Sequence, residues 1–214
     1  MAHGKVLYEG HALAAVAATS QEIADQAIGL IAVDYEVLPF VLDPEETILP
    51  EAPVLHEDLY TKGVDPKPEK PSNKAMRVEL IRGDVAAALA GAAAVVERKY
   101  TTQPVHQGYI EPHACVASWN SDGQAQIWAS SQGHFSIRSL TAGILAIPIS
   151  DIRVTPLEIG GGFGGKTGVY LEPVAMVLSR KAGRPVRLAM SRAEVFRASG
   201  PAPGSVVNVK IGAG

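Results

Sequence analysis

A single cysteine, Cys115, occurs among 214 residues. No disulfide can form within such a chain, and no iron–sulfur cluster or multi-thiolate zinc centre can be built from it. Lone-cysteine usage fits a reducing compartment, and the expected location is the cytoplasm. Cationic excess is lacking too: 19 Lys and Arg stand against 22 Asp and Glu, with a formal charge of -3 and a pI of about 6.1. Electrostatics therefore offer no basis for binding nucleic acid or an anionic membrane surface. Long apolar runs are missing. The longest, Val85 to Val96, is about half of what a bilayer span requires, and its alanines suit a soluble helix. Nor does the chain open on a basic segment followed by an apolar run and a small-residue cleavage site, so no secretion signal is read. What is present, 47% hydrophobic and 19% charged residues, describes a globular protein with a sizeable core, expected as two modest domains.

Apolar spacing organises the chain. Strands are expected at Val6 to Tyr8 and Leu13 to Ala18, then a helix capped by Thr19 with Glu22 three positions on. Its stripe is Ile23, Ala27, Ile28 and Ile31. A strand at Val33 to Val37 leads into Pro39, Pro44, Pro50 and Pro53, and Val64 to Pro71 adds three more prolines among charges, which reads as extended linker. A second unit begins at Met76 with a strand to Ile81, a helix capped by Asp84 and a strand at Val95 to Tyr100. Cys115 to Trp119 and Ala125 to Ala129 flank Asn120-Ser121-Asp122-Gly123, a hairpin signature. A helix at Phe135 to Leu145, a strand at Ile152 to Leu157 and a helix at Tyr170 to Lys181 follow, and Val206 to Ile211 alternates like a strand. With so little before the first strand and no closing element before Gly214, the chain reads as a piece of something larger.

Between the strand and helix around residue 160 lies Gly160-Gly161-Gly162-Phe163-Gly164-Gly165-Lys166-Thr167. Five glycines in six positions give a backbone that reaches positive φ freely and brings amides against a ligand. A plain turn needs two or three, so ligand contact is the favoured reading. The stretch satisfies both the Gly-x-Gly-x-x-Gly and the Gly-x-x-x-x-Gly-Lys-Thr patterns. Nucleotide hydrolysis would also need an acidic residue at the end of a later hydrophobic strand, yet Val186 to Met190 runs into Ser191 and Arg192. A dinucleotide fold would need an acidic residue about twenty positions on, where Arg180 to Arg187 offer only cations. A phosphate-loop nucleotide binder and a non-catalytic domain for subunit assembly remain as alternatives.

Three motifs in order, Glu9-Gly10-His11-Ala12-Leu13-Ala14-Ala15-Val16, Gln107-Gly108-Tyr109-Ile110-Glu111-Pro112-His113 and Gly160 to Lys166, resemble the large subunit of the xanthine dehydrogenase and aldehyde oxidase family. The resemblance runs over essentially the entire chain. It implies an α+β fold, with a truncated α/β hammerhead domain over residues 1–60, a proline-rich linker over 61–75 and the first part of a mixed-sheet molybdopterin-binding lobe over 76–214. It further implies a molybdenum-dependent oxidoreductase that hydroxylates an aldehyde or N-heterocycle with oxygen derived from water. Molybdopterin or its cytidine dinucleotide form would hold the metal through dithiolene sulfurs, so the protein supplies no metal ligand. The implied cofactor contacts are Gly161, Gly162, Phe163, Gly164, Gly165, Gln132 and Gln107. Iron–sulfur clusters and FAD are expected on partner domains or subunits, beside the remaining molybdopterin-binding region.

Three positions depart from the family pattern. The catalytic glutamate has no counterpart here, so the general base is expected beyond Gly214 and this segment alone is expected to be inactive. A glutamine common six residues before Glu111 is replaced by Val105, with His106 or Gln107 as the substitutes. Thr167 stands where purine-oxidising members carry glutamate, which argues against purine hydroxylation. Glu111 reads as a carboxylate bonding backbone amides, and His106 and His113 as polar packing residues rather than a zinc pair. Lys166 reads as neutralising a cofactor charge or pairing on the surface, and Cys115 as a small hydrophobe.

Overall fold

Alternation on strands and helical spacing between them dictate the architecture from residue 105 onward. The computed structural model describes residues 1–214, with helices α1 (Gln21–Gly29), α2 (Val85–Ala90), α3 (His134–Leu145), α4 (Glu172–Ala182) and α5 (Arg192–Ala198). The strands are β1 (Ala94–Thr102), β2 (Ala114–Trp119), β3 (Ala125–Ala129), β4 (Ile152–Pro156), β5 (Val186–Ala189) and β6 (Ser205–Ala213). The class is α+β, as expected. Two compact units form, each from segments distant in sequence: Met1–Asp34 with Val105–Ala202, and Tyr35–Pro104 with Pro203–Gly214.

The first unit holds a mixed sheet in the order β4-β3-β2-β5, with β2 antiparallel to β3 and β5, and β3 parallel to β4. Period-two alternation sets its inner face. Cys115 and Ala117 on β2 meet Ala129 and Ile127 on β3, and Ile137, Ala142, Ala175 and Met176 of α3 and α4 cover them together with Ile152 of β4. Small residues on the central strands let the helices approach closely, and each fully buried Ile or Met contributes about 1.5–3 kcal/mol. Burial also pushes the Cys115 thiol up to about 12, so it remains an inert apolar group. The β2–β3 hairpin closes through Gly123, at φ 91, whose N–H donates to Asn120 O at 3.1 Å. Helix α4 ends at Gly183 in the left-handed region.

Ser179, on α4, joins helix to sheet. Its buried Oγ accepts from the Trp119 N–H at 3.0 Å and donates to Arg184 O at 2.7 Å. Ser179→Ala leaves both backbone groups without that partner, and urea unfolding is expected to report a loss of about 1–3 kcal/mol.

In the second unit β1 and β6 form an antiparallel ribbon, in register from Ala94↔Ala213 to Thr102↔Ser205, with every residue of β1 exposed. Asp84 caps α2 by accepting from the Ala87 N–H at 2.9 Å. Asn73 orders the proline-rich stretch by donating to Thr47 O and Pro53 O and accepting from Leu55 N–H.

Several expectations need correction. Residues 6–8, 13–18, 33–37 and 76–81 carry no strand ladder; only the isolated bridges His3↔Lys5 and Lys62↔Met76 lie near them. An alternating sequence favours extended backbone, but a strand exists only with a neighbour to pair with. The α1 cap is Ser20 rather than Thr19, with Ser20 Oγ accepting from the Ile23 N–H at 3.3 Å. The apolar stripe of α1 is not buried: Ile23 is 50% exposed and Ile28 52%. Helix α5 was not anticipated, although Ser191 and Glu194 form a capping box. No helix is long and apolar enough to cross a membrane.

Candidate functional site

Strand directions bring the site together. Because β2 runs against β3 and β5 while β4 runs with β3, one end of the sheet carries the carboxyl ends of β3, β4 and β5 and the start of β2. Ser130–Gln132, the glycine loop and α5 leave from those three ends, and Tyr109–His113 leads into β2. Open sheets with parallel strands bind ligands outside such carboxyl ends.

The loop is a fixed turn rather than a slack one. Gly165 N–H donates to Gly162 O at 2.7 Å, and the two residues between, Phe163 at φ 50 and Gly164 at φ 87, are both left-handed. A phenylalanine held there costs about 1–2 kcal/mol, and the residue is 75% exposed. Strain of this kind, with an apolar ring turned to solvent, is characteristic of binding sites. From beneath, Gln132 Oε1 accepts from the amides of Gly164 at 3.1 Å and Lys166 at 3.2 Å. Two N–H donors fix that atom as oxygen and leave the Gln132 Nε2 donors outside the loop's own bonding. The loop is packed tightly at two further points. A Cβ on Gly162 would lie 2.5 Å from Gln132 Oε1, and one on Gly165 would lie 2.7 Å from the Tyr109 ring and 3.1 Å from the Gln107 carboxamide.

Glu111 clasps both ends of the loop. Its Oε2 accepts from the Gly160 N–H at 2.8 Å and from Lys166 Nζ at 2.5 Å. Burial alone would raise its carboxyl, but the Lys166 ammonium and the Gly160 amide outweigh this and hold it below the usual carboxylate range. Surface pairing, one of the two expectations for Lys166, is corrected: its side chain is 0% exposed, so it pairs with Glu111 inside the protein. The same burial removes the ammonium that a phosphate loop requires, and α4 does not begin until Glu172, too late for its N-terminus to meet a phosphate held by Gly160–Thr167.

Under the loop lies Tyr109, 1% exposed, its hydroxyl 2.6 Å from His113 Nε2 and 3.2 Å from Ser199 Oγ. Burial raises the Tyr109 hydroxyl and lowers the His113 imidazole to about 4. Unfolded His113 binds its proton near 6.5 and the folded residue resists it, so this contribution to stability is complete above pH 6.5 and is lost as pH falls through 4. The full shift corresponds to about 3 kcal/mol. A series of urea melts from about pH 7 to about pH 4 is expected to show that loss, and His113→Gln to remove it. Arg192, opening α5, donates to Tyr109 O at 2.9 Å and to Ile110 O, which anchors the segment carrying Glu111.

Of the residues expected at the cofactor, Gly161, Gly162, Phe163, Gly164, Gly165, Gln132 and Gln107 are brought side by side. Val105 pairs with Ala202 through backbone bonds and is exposed. His106 has both ring nitrogens engaged, by the Gly108 N–H and by Ser199 Oγ, whereas Gln107 Oε1 is buried without a partner. Tyr109, Arg192 and Ser199 are builders of the site that the sequence reading does not single out; the Ser191–Glu194 capping pair is the one signal for helix α5, which carries Arg192 and is capped at its C-terminus by Ser199. Two cavities, of about 380 and 750 Å³, lie around Trp119, Arg180 and the β2–β3 turn at the far end of the sheet.

The donor set has a consistent chemistry. The amides of Gly161, Gly162 and Phe163 have no acceptor within the chain, Gln132 offers Nε2, and Gln107 holds an unpartnered carboxamide oxygen. No group of three or more His, Cys, Asp or Glu could hold a metal ion. Amides and carboxamides of this kind suit a large polar ligand held by hydrogen bonds at the carboxyl end of a mixed sheet.

Residues 66–214 match the molybdopterin cofactor-binding domain, and residues 1–39 match the aldehyde oxidase and xanthine dehydrogenase a/b hammerhead domain. The chain belongs to the aldehyde oxidase and xanthine dehydrogenase family of molybdopterin-binding proteins. It is 33% identical to a probable xanthine dehydrogenase subunit of Bacillus subtilis strain 168, over 98% of this chain and 26% of that protein. It is 36% identical to the carbon monoxide dehydrogenase large chain of Afipia carboxidovorans, over 91% and 24%. The crystal structure of quinoline 2-oxidoreductase from Pseudomonas putida 86 superposes with a TM-score of 0.78 at 30% identity, over 92% of this chain and 24% of that one. The chain thus spans about a quarter of the length of these relatives.

Proposed function

We propose that this chain is the cofactor-cradling segment of a molybdenum hydroxylase that oxidises an aldehyde or N-heterocycle with oxygen from water. The observation that carries this reading is the run of unengaged amides at Gly161, Gly162 and Phe163, pinned by Glu111 on one side and Gln132 on the other. Molybdopterin, or its cytidine dinucleotide form, would supply the molybdenum and the two-electron chemistry when bound. The chain's own residues bind and orient. The amides of Gly161, Gly162 and Phe163 donate to polar atoms of the cofactor and stabilise negative charge there without reorganising. Gly164 and Gly165 shape the turn, Gln132 donates through Nε2, and Gln107 takes the place of the glutamine that Val105 lacks. The exposed Phe163 side chain offers an apolar surface beside those amides.

We assign residues 1–60 to a partial hammerhead domain, 61–75 to a linker and 76–214 to the first part of the molybdopterin-binding domain. The general base is a glutamate supplied by the remaining molybdopterin-binding region. Partner iron–sulfur and flavin subunits in the cytoplasm would supply the route by which electrons are carried away. Thr167 donates to Gly164 O at 3.0 Å and braces the turn, where purine recognition would need a carboxylate, so aldehydes and non-purine heterocycles are the expected substrates. The test is turnover of such a panel by the native complex in ¹⁸O-water. Product carrying the heavy isotope is expected; product labelled only from ¹⁸O₂ contradicts the reading.

A further inference from the structure

The hydrogen bonds beneath the loop have only one consistent set of proton positions. The Gly108 N–H can only donate, at 3.0 Å, so His106 Nδ1 carries no proton. His106 must then donate through Nε2 to Ser199 Oγ, 3.0 Å away. Val195 O can only accept, so the Ser199 proton goes to that carbonyl. Ser199 has no second proton, and its 3.2 Å contact with Tyr109 is made by the tyrosine proton. That leaves the 2.6 Å contact between Tyr109 Oη and His113 Nε2 to be made by a proton on the histidine. Each step follows from the donor inventory of the groups concerned.

We propose that Tyr109 is a positioning residue of the glycine loop, locked by a one-way chain of hydrogen bonds running from His113 Nε2–H through Tyr109 and Ser199 into the last turn of α5. This rests on the reading that the loop faces the cofactor. The ring so locked lies against Gly165, where an added Cβ would meet its Cε1 at 2.7 Å, and the Tyr109 Cβ lies 3.4 Å from where one would stand on Gly161. Lys166 Nζ sits 5.0 Å from its centroid. Height and tilt of the loop are therefore set by the ring, and the ring by a chain that ends on helix α5. The neutral His113 expected from its burial agrees with a single ring proton.

Two measurements test this on the native protein. Nitrogen-15 spectra of labelled histidine are expected to show His113 as the Nε2–H tautomer; an Nδ1–H tautomer overturns the chain whatever any variant does. Hydrogen exchange then separates positioning from general stability. Tyr109→Phe keeps the ring but not the hydroxyl. It is expected to speed exchange across 160–166 about tenfold relative to α3, as loss of a buried hydrogen bond implies. His113→Gln, which keeps a donor near the Nε2 position, should retain most of the protection that His113→Leu loses. Unchanged or uniformly faster exchange in Tyr109→Phe overturns the proposal. Both readouts are independent of turnover. Protein lacking molybdopterin would sink the functional reading while leaving the chain of bonds intact.

Discussion

Glu111→Ala is expected to destabilise the first unit by about 3 kcal/mol or more, because it strands a buried ammonium. Lys166 has a side chain 0% exposed and Glu111 as its carboxylate partner, whereas the Glu111 side chain is 34% exposed. The asymmetry makes the carboxylate the more damaging partner to remove. Its loss also frees Gly160 N–H at one end of the loop and Lys166 at the other. Glu111→Gln should fall between, since it keeps an acceptor for Gly160 but no charge. The double variant Glu111→Leu with Lys166→Met should recover much of the loss, because an apolar pair replaces a buried ion pair at little cost. Urea unfolding of parent, single and double variants forms a cycle whose coupling energy measures the clasp directly. Single variants within about 0.5 kcal/mol of the parent would mean that the clasp is a surface pair.

Gly165→Val is expected to lower bound molybdenum by about tenfold or more, as overpacking of roughly 1–3 kcal/mol at the loop translates directly into occupancy. The first added carbon would lie 2.7 Å from Tyr109 Cε1 and 3.1 Å from the Gln107 carboxamide. Tyr109 is fully buried and bonded at its hydroxyl, so the ring cannot yield and the turn must. Gly143→Ala is the control. Gly143 lies within α3 with open space where a Cβ would stand, and the change should stabilise the helix by about 0.5–1 kcal/mol without touching the metal. Metal measured on the native protein and both variants gives the result.

Elements with a local signal were legible in sequence. Alternating Cys115 and Ala117, the Asp122-Gly123 turn and the Gly183 stop each act within a few residues, and β2, β3, α3, β4 and α4 appear where they point. Strands without a partner were not legible as such: Leu13 to Ala18 and Met76 to Ile81 favour extended backbone, and nothing local says whether a neighbour exists to complete the ladder. The loop's composition marked the candidate site, and Glu111 was readable as an acceptor for backbone amides, which Gly160 provides. Its second bond was not, because Lys166 lies 55 positions away and only the fold buries it. Helix α5 was signalled by Ser191 and Glu194, yet at seven residues it is too short for an apolar period to register. The positive φ of Phe163 is invisible in sequence, since phenylalanine itself disfavours it.

Molybdenum and pterin quantified together on the purified native protein test the central claim most directly. Equal amounts of the two, recovered with the chain and both lost in Gly165→Val, are the expected result. A folded, active protein that contains neither, or that holds molybdenum without pterin, would contradict the assignment of the glycine loop as a cofactor cradle.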